Sequence, residues 1–364
     1  MRLPSYQDLS KEQDRVNNLP LSGSHLVVGP PGTGKTVMAL YRAQRLHKLG
    51  SKVLVITHSR LLSQYTDAAI QELGIDGVVT TFHSWFSRFY RRKYGTAPPT
   101  VEPYVYDWPT VLTRVNADPP TDGEIPYLII DEGQDVPKEF YVLARLLATN
   151  LTVFADENQR ITERNSTIKD IQAYGDFGDR LHKLTRNYRN TYEVAALADT
   201  FAANSTTGVA EPPTRRGEKP AMTRFPSLAA TVDFIARFER ANSDLEIGVF
   251  TSTKKVQQQF VNRLSGKTKN SVQAYIGGQG ADADLLDFDT PGVKIVNYPS
   301  TKGLEFDAVF IPELQGIDGW HKELTDMQLY VMLSRARESL FLASSGQGEP
   351  RIRSRLPEEL IEWK

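Results

Sequence analysis

The residues Gly29-Pro30-Pro31-Gly32-Thr33-Gly34-Lys35-Thr36 follow the order G-x-x-x-x-G-K-[ST]. That order is suited to holding phosphate. Glycines let the backbone curl until several N–H groups face one anion, and the N-terminus of a following helix adds its positive dipole end. Lys35 would then reach the β- and γ-phosphates, and the Thr36 hydroxyl would ligate Mg²⁺. A phosphate loop of this kind needs a carboxylate at the tip of a neighbouring strand. Tyr127-Leu-Ile-Ile-Asp131-Glu132 supplies two. Asp131 is expected to orient the metal, and Glu132 to polarise an attacking water as general base. An adjacent base favours hydrolysis over phosphoryl transfer to a small molecule.

A second cluster has a different chemistry. Trp85-Phe-Ser-Arg88-Phe-Tyr-Arg91-Arg92-Lys93-Tyr94 packs five aromatic residues and four cations into ten positions. On a helix, Phe82, Phe86 and Phe89 share one face, and Arg88, Arg91 and Arg92 share another. Binders of single strands combine cations along the phosphates with aromatic faces that stack bases. The pattern equally allows Phe86 and Phe89 to be core. Tyr104, Tyr106 and Trp108, in a Pro-rich stretch, are open in the same way.

The elements that must position these groups alternate short apolar runs with amphipathic stretches, which predicts α/β with mostly parallel sheets. Strands are expected at His25–Val28, Val53–Thr57, Gly77–Thr81, Tyr127–Ile130, Leu151–Ala155, Ile247–Thr251, Val293–Asn297 and Ala308–Ile311. Helices are expected at Lys35–Leu49, Leu61–Leu73, Phe82–Tyr94, Phe140–Ala148, Tyr192–Ala203, Leu228–Asn242, Lys254–Leu264 and Asp326–Ala336. Gly95–Asp107 and Asn204–Pro220 read as loops, and a domain break is expected near Gly175–Leu184. This divides the chain into residues 1–180 and 181–364, in keeping with about two domains for 364 residues.

Composition removes several function classes. With 43 Lys+Arg against 44 Asp+Glu, a globally cationic nucleic-acid binder is excluded, although a local basic track is not. The chain has no Cys, which excludes disulfides, thiolate nucleophiles, Cys-ligated zinc and iron–sulfur clusters. The six His show no metal-ligand spacing. The polar start MRLPSYQDLSKEQ has no apolar core of a secretory signal, and a cytoplasmic location is expected.

Eight short strings between residues 9 and 337 resemble, in order, the motifs of superfamily 1 helicases of the UvrD/Rep type. Leu9-Ser-Lys-Glu-Gln13 resembles the Q motif, which implies that Gln13 reads adenine. Val53-Leu-Val-Ile-Thr57-His58-Ser-Arg60 and Thr80-Thr-Phe82-His83-Ser84 resemble motifs Ia and Ib, which lie on the single-strand track in that family. Asp131-Glu-Gly-Gln134-Asp135 resembles motif II, and Phe154-Ala-Asp156-Glu-Asn-Gln159 resembles motif III, where Gln159 would sense the γ-phosphate. Leu184-Thr-Arg-Asn187-Tyr188-Arg189 is similar to motif IV. Ser300-Thr-Lys302-Gly303-Leu-Glu305-Phe306 is similar to motif V, and Tyr330-Val-Met-Leu-Ser-Arg335-Ala336 to motif VI. The resemblance implies two RecA-like lobes, parallel sheets flanked by helices, with ATP and Mg²⁺ in the cleft between them. Arg189 and Arg335 would be arginine fingers, Tyr188 would stack on adenine, and Gly303 and Glu305 would lie at the nucleotide. Single-stranded nucleic acid, DNA in preference to RNA, would be the partner.

The chain also departs from that pattern. Larger relatives carry helical subdomains where this sequence has only residues 85–124, read as a small helical insertion, and 266–292. Motif III stops at Gln159, and His58 stands where relatives usually carry an aromatic residue. Two functions stay open on the sequence. One is a minimal ATP-driven translocase or weak 3′-to-5′ helicase. The other is an ATP-gated switch that signals to a protein partner such as a nuclease or defence effector.

Overall fold

The computed structural model describes residues 3–57, 60–75, 77–121, 123–156, 166–202, 208–276, 286–317, 322–346 and 348–364. Within these ranges, the side chains of 60, 62, 63, 68 and 322–324 are not described. The chain forms two compact units, residues 2–185 with 205–208 and residues 186–204 with 209–364.

The first unit begins with α1 (Lys11–Asn17), β1 (His25–Val28), α2 (Lys35–Lys48), β2 (Val53–Thr57), α3 (Arg60–Leu73), β3 (Val79–Thr81) and α4 (Phe82–Tyr94). It continues with β4 (Thr100–Glu102), β5 (Val105–Tyr106), α5 (Trp108–Ala117), β6 (Ile125–Ile130), α6 (Lys138–Leu147), β7 (Ala148–Ala155), α7 (Ile168–Gly175) and β8 (Leu181–Lys183). Six strands make a sheet in the order β3-β2-β6-β7-β1-β8, every pairing parallel. Parallel strands need crossovers, and the helices that supply them cover the sheet, so its central strands are apolar on both sides.

Side-chain alternation splits the core. Leu26, Val28, Ile56, Leu128, Ile130, Val153 and Ala155 join one buried cluster with Phe82, Phe86, Phe89, Trp108, Val111 and Phe140 from α4, α5 and α6. The intervening residues Val27, Val55, Ile129 and Phe154 are also buried, and α2 packs along β2, β6 and β7. The helix α4 starts at Thr81, whose side chain accepts a hydrogen bond from the Ser84 amide, and ends at Gly95 with φ 75°.

Two expectations are corrected in this unit. The stretch Gly95–Asp107 is not a bare loop, because β4 and β5 pair as an antiparallel hairpin. These strands are too short for periodicity to show, and β4 is exposed throughout. The domain break also moves. β8 pairs with β1, matching Leu181 to Leu26 and His182 to Val27, so this segment closes the first sheet rather than opening the second unit. Its sequence Leu-His-Lys carries no hydrophobic signal that would mark it as a strand.

The second unit contains α8 (Tyr192–Asp199), β9 (Ala221–Phe225), α9 (Leu228–Ala241), β10 (Glu246–Thr251), α10 (Lys254–Leu264) and β11 (Val272–Tyr275). Then follow β12 (Gly292–Asn297), β13 (Phe306–Ile311), α11 (Lys322–Leu333), β14 (Ala336–Ser345) and β15 (Glu362–Trp363). The sheet order is β11-β12-β10-β13-β14-β9-β15, again parallel at every pairing. Both sheets are thus of the open, parallel, RecA-like kind. Val232, Ile235 and Ala236 of α9 and Phe260 and Leu264 of α10 pack on Val249, Ile295 and Phe310. The expected helix Asp326–Ala336 ends earlier, at Leu333, and Ala336 starts the ten-residue strand β14. The charged start Ala-Arg-Glu-Ser hides this strand because Arg337 lies in an ion-pair network rather than in apolar core.

Two outcomes follow from this packing. Phe86 is fully buried, so Phe86→Ala is expected to cost about 3–5 kcal/mol of stability, read from urea unfolding. Across β1 and β8, His25 Nδ1 lies 3.2 Å from His182 Nε2. Both imidazoles are held below the ordinary His range by burial, with the Arg42 guanidinium acting the same way. Stability from the neutral pair is present above the unfolded pKa of about 6.5 and is lost as pH falls through the lowered folded values. The urea midpoint should therefore drop between pH 7.5 and 5.5, and His182→Asn should shrink that drop.

Candidate active site

The phosphate loop joins β1 to α2 at the C-terminal tip of the first sheet. Gly34, the residue before α2, has φ 89°, a conformation that side chains other than glycine rarely adopt. At Gly29 a Cβ would come within 2.6 Å of the Leu184 carbonyl oxygen, so the close approach of the loop to the segment after β8 demands glycine there. Lys35 is buried, and its Nζ donates to the carbonyls of Gly29 (2.6 Å) and Pro30 (2.9 Å). It also stands 3.6 Å from the fully buried Asp156 carboxylate at the end of β7. The ammonium is therefore aimed back into the loop that it would share with a phosphate chain. Gln13 is buried too: its oxygen accepts from the Ser10 amide, capping α1, and its Nε2 donates to the Thr33 carbonyl (3.1 Å). Here it braces the loop.

Asp131 and Glu132 follow β6. The Asp131 amide donates to Ile56 O of β2 at 2.9 Å, which anchors the turn to the sheet. Burial, followed by the neighbouring Glu132 charge, pushes the Asp131 carboxyl up to about 7, while the Thr36 hydroxyl and Lys35 oppose that shift. Its Oδ1 is buried and has no hydrogen-bond partner among the described residues. An orphaned carboxylate oxygen beside a threonine hydroxyl is a donor set that fits Mg²⁺, and Asp131 and Thr36 would hold it.

Glu132 occupies left-handed backbone (φ 55°, ψ 46°), a strain on the order of 1–3 kcal/mol for such a residue. The strained turn points its carboxylate at Gln134, whose Nε2 donates to Glu132 Oε2 at 2.6 Å. The Gln134 oxygen in turn accepts from the Asp156 amide at 2.8 Å. Gln134 thus couples the general-base candidate to β7. Gln134 and Asp156 complete the site although residue type alone had singled out neither; only their place in the motif II and III strings marked them.

In the second unit, Arg189 Nε donates to Glu305 Oε2 at 2.6 Å. The other Glu305 oxygen accepts from Arg337, which also pairs with Asp307 at 3.2 Å. The Arg189 Nη1 is buried without a hydrogen-bond partner among the described residues. Asn190, the residue after the motif IV string, donates to the Ser334 carbonyl at 3.0 Å and so ties that segment to the motif VI string. Gly303 sits with φ 78° two residues before Glu305, and Tyr188 is exposed. Arg335 differs: its buried guanidinium is bonded to Val331 O, Leu304 O and Ser334 Oγ.

The nucleic-acid candidates separate. Phe82 is 1% exposed and packs against Phe86 and Phe140, so it is core rather than a stacking surface. Thr57 ends β2, and its buried hydroxyl has no hydrogen-bond partner among the described residues. The aromatics of α4 left open by the sequence are core, since Phe86 and Phe89 are buried. The face of Arg88, Arg91 and Arg92 is exposed, with Arg88 bonded to Thr80 Oγ1 and Arg92 to Glu124. His83 is half-buried against Tyr106. Gln159, His58 and the Arg60 side chain lie outside the described residues.

A parallel sheet with this loop at the tip of one strand and two acids at the tip of another defines a P-loop nucleotide-binding unit. Residues 13–165 match the family described as AAA domain, and residues 295–343 match the UvrD-like helicase C-terminal domain. By these two matches the chain resembles the UvrD-like superfamily 1 helicases. A similar curated protein, from Acanthamoeba polyphaga mimivirus, bears the name "Putative ATP-dependent DNA helicase" and is 25% identical over 244 residues. That match takes in 60% of this chain but about a third (34%) of the relative. Among solved structures, the C-terminal domain of a possible DNA helicase from Lactobacillus plantarum WCFS1 matches at 22% identity and a TM-score of 0.37, covering 48% of this chain and 98% of that one. Among the described residues no helix is long and apolar enough to cross a membrane.

Gln134→Ala removes the group that orients Glu132 without touching the phosphate loop. Steady-state kinetics should show kcat for ATP turnover reduced roughly ten- to hundredfold, with KM little changed.

Proposed function

We propose that the protein hydrolyses ATP and couples the turnover to movement along single-stranded nucleic acid, DNA in preference to RNA. The observation that carries this reading is the arrangement at the first sheet's tip, where Lys35 and Thr36 follow β1, Asp131 and the Glu132–Gln134 pair follow β6, and β7 lies between the two strands. Backbone amides of the loop and Lys35 bind the β- and γ-phosphates. Asp131 and Thr36 would hold Mg²⁺, which would supply charge neutralisation at the phosphoryl oxygens. Glu132, fixed by Gln134, takes the proton of the attacking water. Arg189 is assigned to the charge that develops on the γ-phosphoryl group, a role worth roughly 10³–10⁵ in rate. Tyr188 and Gln13 are assigned to adenine, Gly303 and Glu305 to the nucleotide, and Arg335 to the phosphates. Arg88, Arg91 and Arg92 line the strand, and His83 lies on the same track.

The slightness of the inserted segment, one hairpin and α5 between α4 and β6, also favours a second reading. In it, nucleotide state is signalled to a protein partner without travel along a strand. ATPase assays with and without oligo-dT or oligo-U separate the two, because stimulation is expected only from a translocase. Lys35→Ala should abolish turnover; retained turnover by the folded variant refutes the phosphate site. Arg189→Ala should lower kcat by about 10³ or more and affect nucleotide affinity much less.

A further inference from the structure

The hairpin of β4 and β5 ends in a feature that nucleotide chemistry does not use. Glu102 pairs with Val105, so Pro103 and Tyr104 form its two-residue tip. Proline locks its own φ near −65°, and Tyr104 follows with φ 64°. The order of proline and then a left-handed residue calls for glycine or asparagine at the second position. A bulky ring is held there instead, and it is 77% exposed.

The ring is not loosely mounted. Below it, Tyr106 is buried and meets Phe86 edge-on at 4.6 Å, so the hairpin stem is rooted in the aromatic core. The base of the hairpin is closed by Asp107 N donating to Pro99 O at 2.9 Å. At its side, His83 contacts Tyr104 at 5.4 Å with the rings at 68°, and the His83 Nδ1 lies 3.2 Å from the Tyr106 hydroxyl. An edge-to-face neighbour supports the ring while its high exposure keeps a π-face open to solvent. The exposed cations Arg88, Arg91 and Arg92 lie on the helix that carries His83.

We propose that Tyr104 is a stacking platform for a base of single-stranded nucleic acid, seated on His83, with the cations of α4 serving the phosphates. A strained backbone that displays an aromatic ring fits a binding role, and an exposed aromatic seated on a helix that also carries exposed cations matches the chemistry of a base and its phosphates. This rests on the strand-binding reading given above.

The test measures fluorescence anisotropy of labelled oligo-dT and of an abasic strand of the same length, in the presence of a non-hydrolysable ATP analogue. Tyr104→Gly suits the left-handed backbone, so its melting temperature should match or exceed that of the wild type; Tyr104→Asn, which tolerates the same conformation, serves as the second variant. Both should weaken oligo-dT binding roughly five- to a hundredfold, leave the abasic strand unaffected and preserve strand-free ATPase, while Tyr104→Phe stays within about twofold of wild type. Equal affinities of wild type and Tyr104→Gly for oligo-dT overturn the proposal, as does an equal loss on the abasic strand, which places the effect on phosphates or structure. A wild type that binds neither strand defeats the strand-binding reading itself, and the proposal with it.

Discussion

A buried ammonium cannot be left without compensation, and the first unit is arranged around that demand. Lys35 is satisfied by two loop carbonyls and stands near a fully buried aspartate on another strand. Each of those contacts requires that β1 and β7 be neighbours and that α2 begin at the residue after Gly34. The sheet order and the loop geometry are therefore conditions for one charge to be held. A phosphate chain entering the loop would replace the carbonyls as partners of Lys35, a stronger and charge-assisted interaction.

Around that charge, orientation is carried by side chains bonded to backbone rather than by carboxylates alone. Gln134 transmits the position of β7 to Glu132, and the Tyr141 hydroxyl donates to Gly133 O at 2.6 Å in the same turn. The left-handed conformation of Glu132 persists because these bonds over-determine the turn. The second unit uses the same device at larger scale. Glu305 is shared between Arg189 and Arg337, and Asp307 steadies Arg337, so the arginine assigned to catalysis is stored in a charge network and not in solvent. Such a network limits the rotamers available to a long side chain.

The helix α4 gives its aromatic side chains to the core and turns its arginines to solvent. Phe82, Phe86 and Phe89 fill the space over the sheet, while the hairpin and α5 are held by Tyr106, Trp108 and Val111. That division leaves Tyr104 as the aromatic of this region with its ring in solvent. Of the hairpin stem, Tyr106 alone is buried, and it joins the hairpin to the aromatic core.

The phosphate loop, the acids after β6 and the ordered motif strings were legible in the sequence because they depend on local chain geometry: spacing, glycine and an apolar run before a carboxylate. The parallel α/β class was legible for the same reason, since buried central strands are apolar throughout. Short or charged strands were not, as β8 and the start of β14 show, because their stability comes from pairing with a neighbour and not from their own composition. The burial of Phe82 and the exposure of Tyr104 were equally beyond reach: both are aromatic, and only the folded neighbours decide which is covered. The choice of Gln134 as Glu132's support and of Glu305 as Arg189's was made by tertiary structure alone. These contacts join residues whose separation in the chain, or whose side-chain direction at a strained turn, has no signature in one dimension.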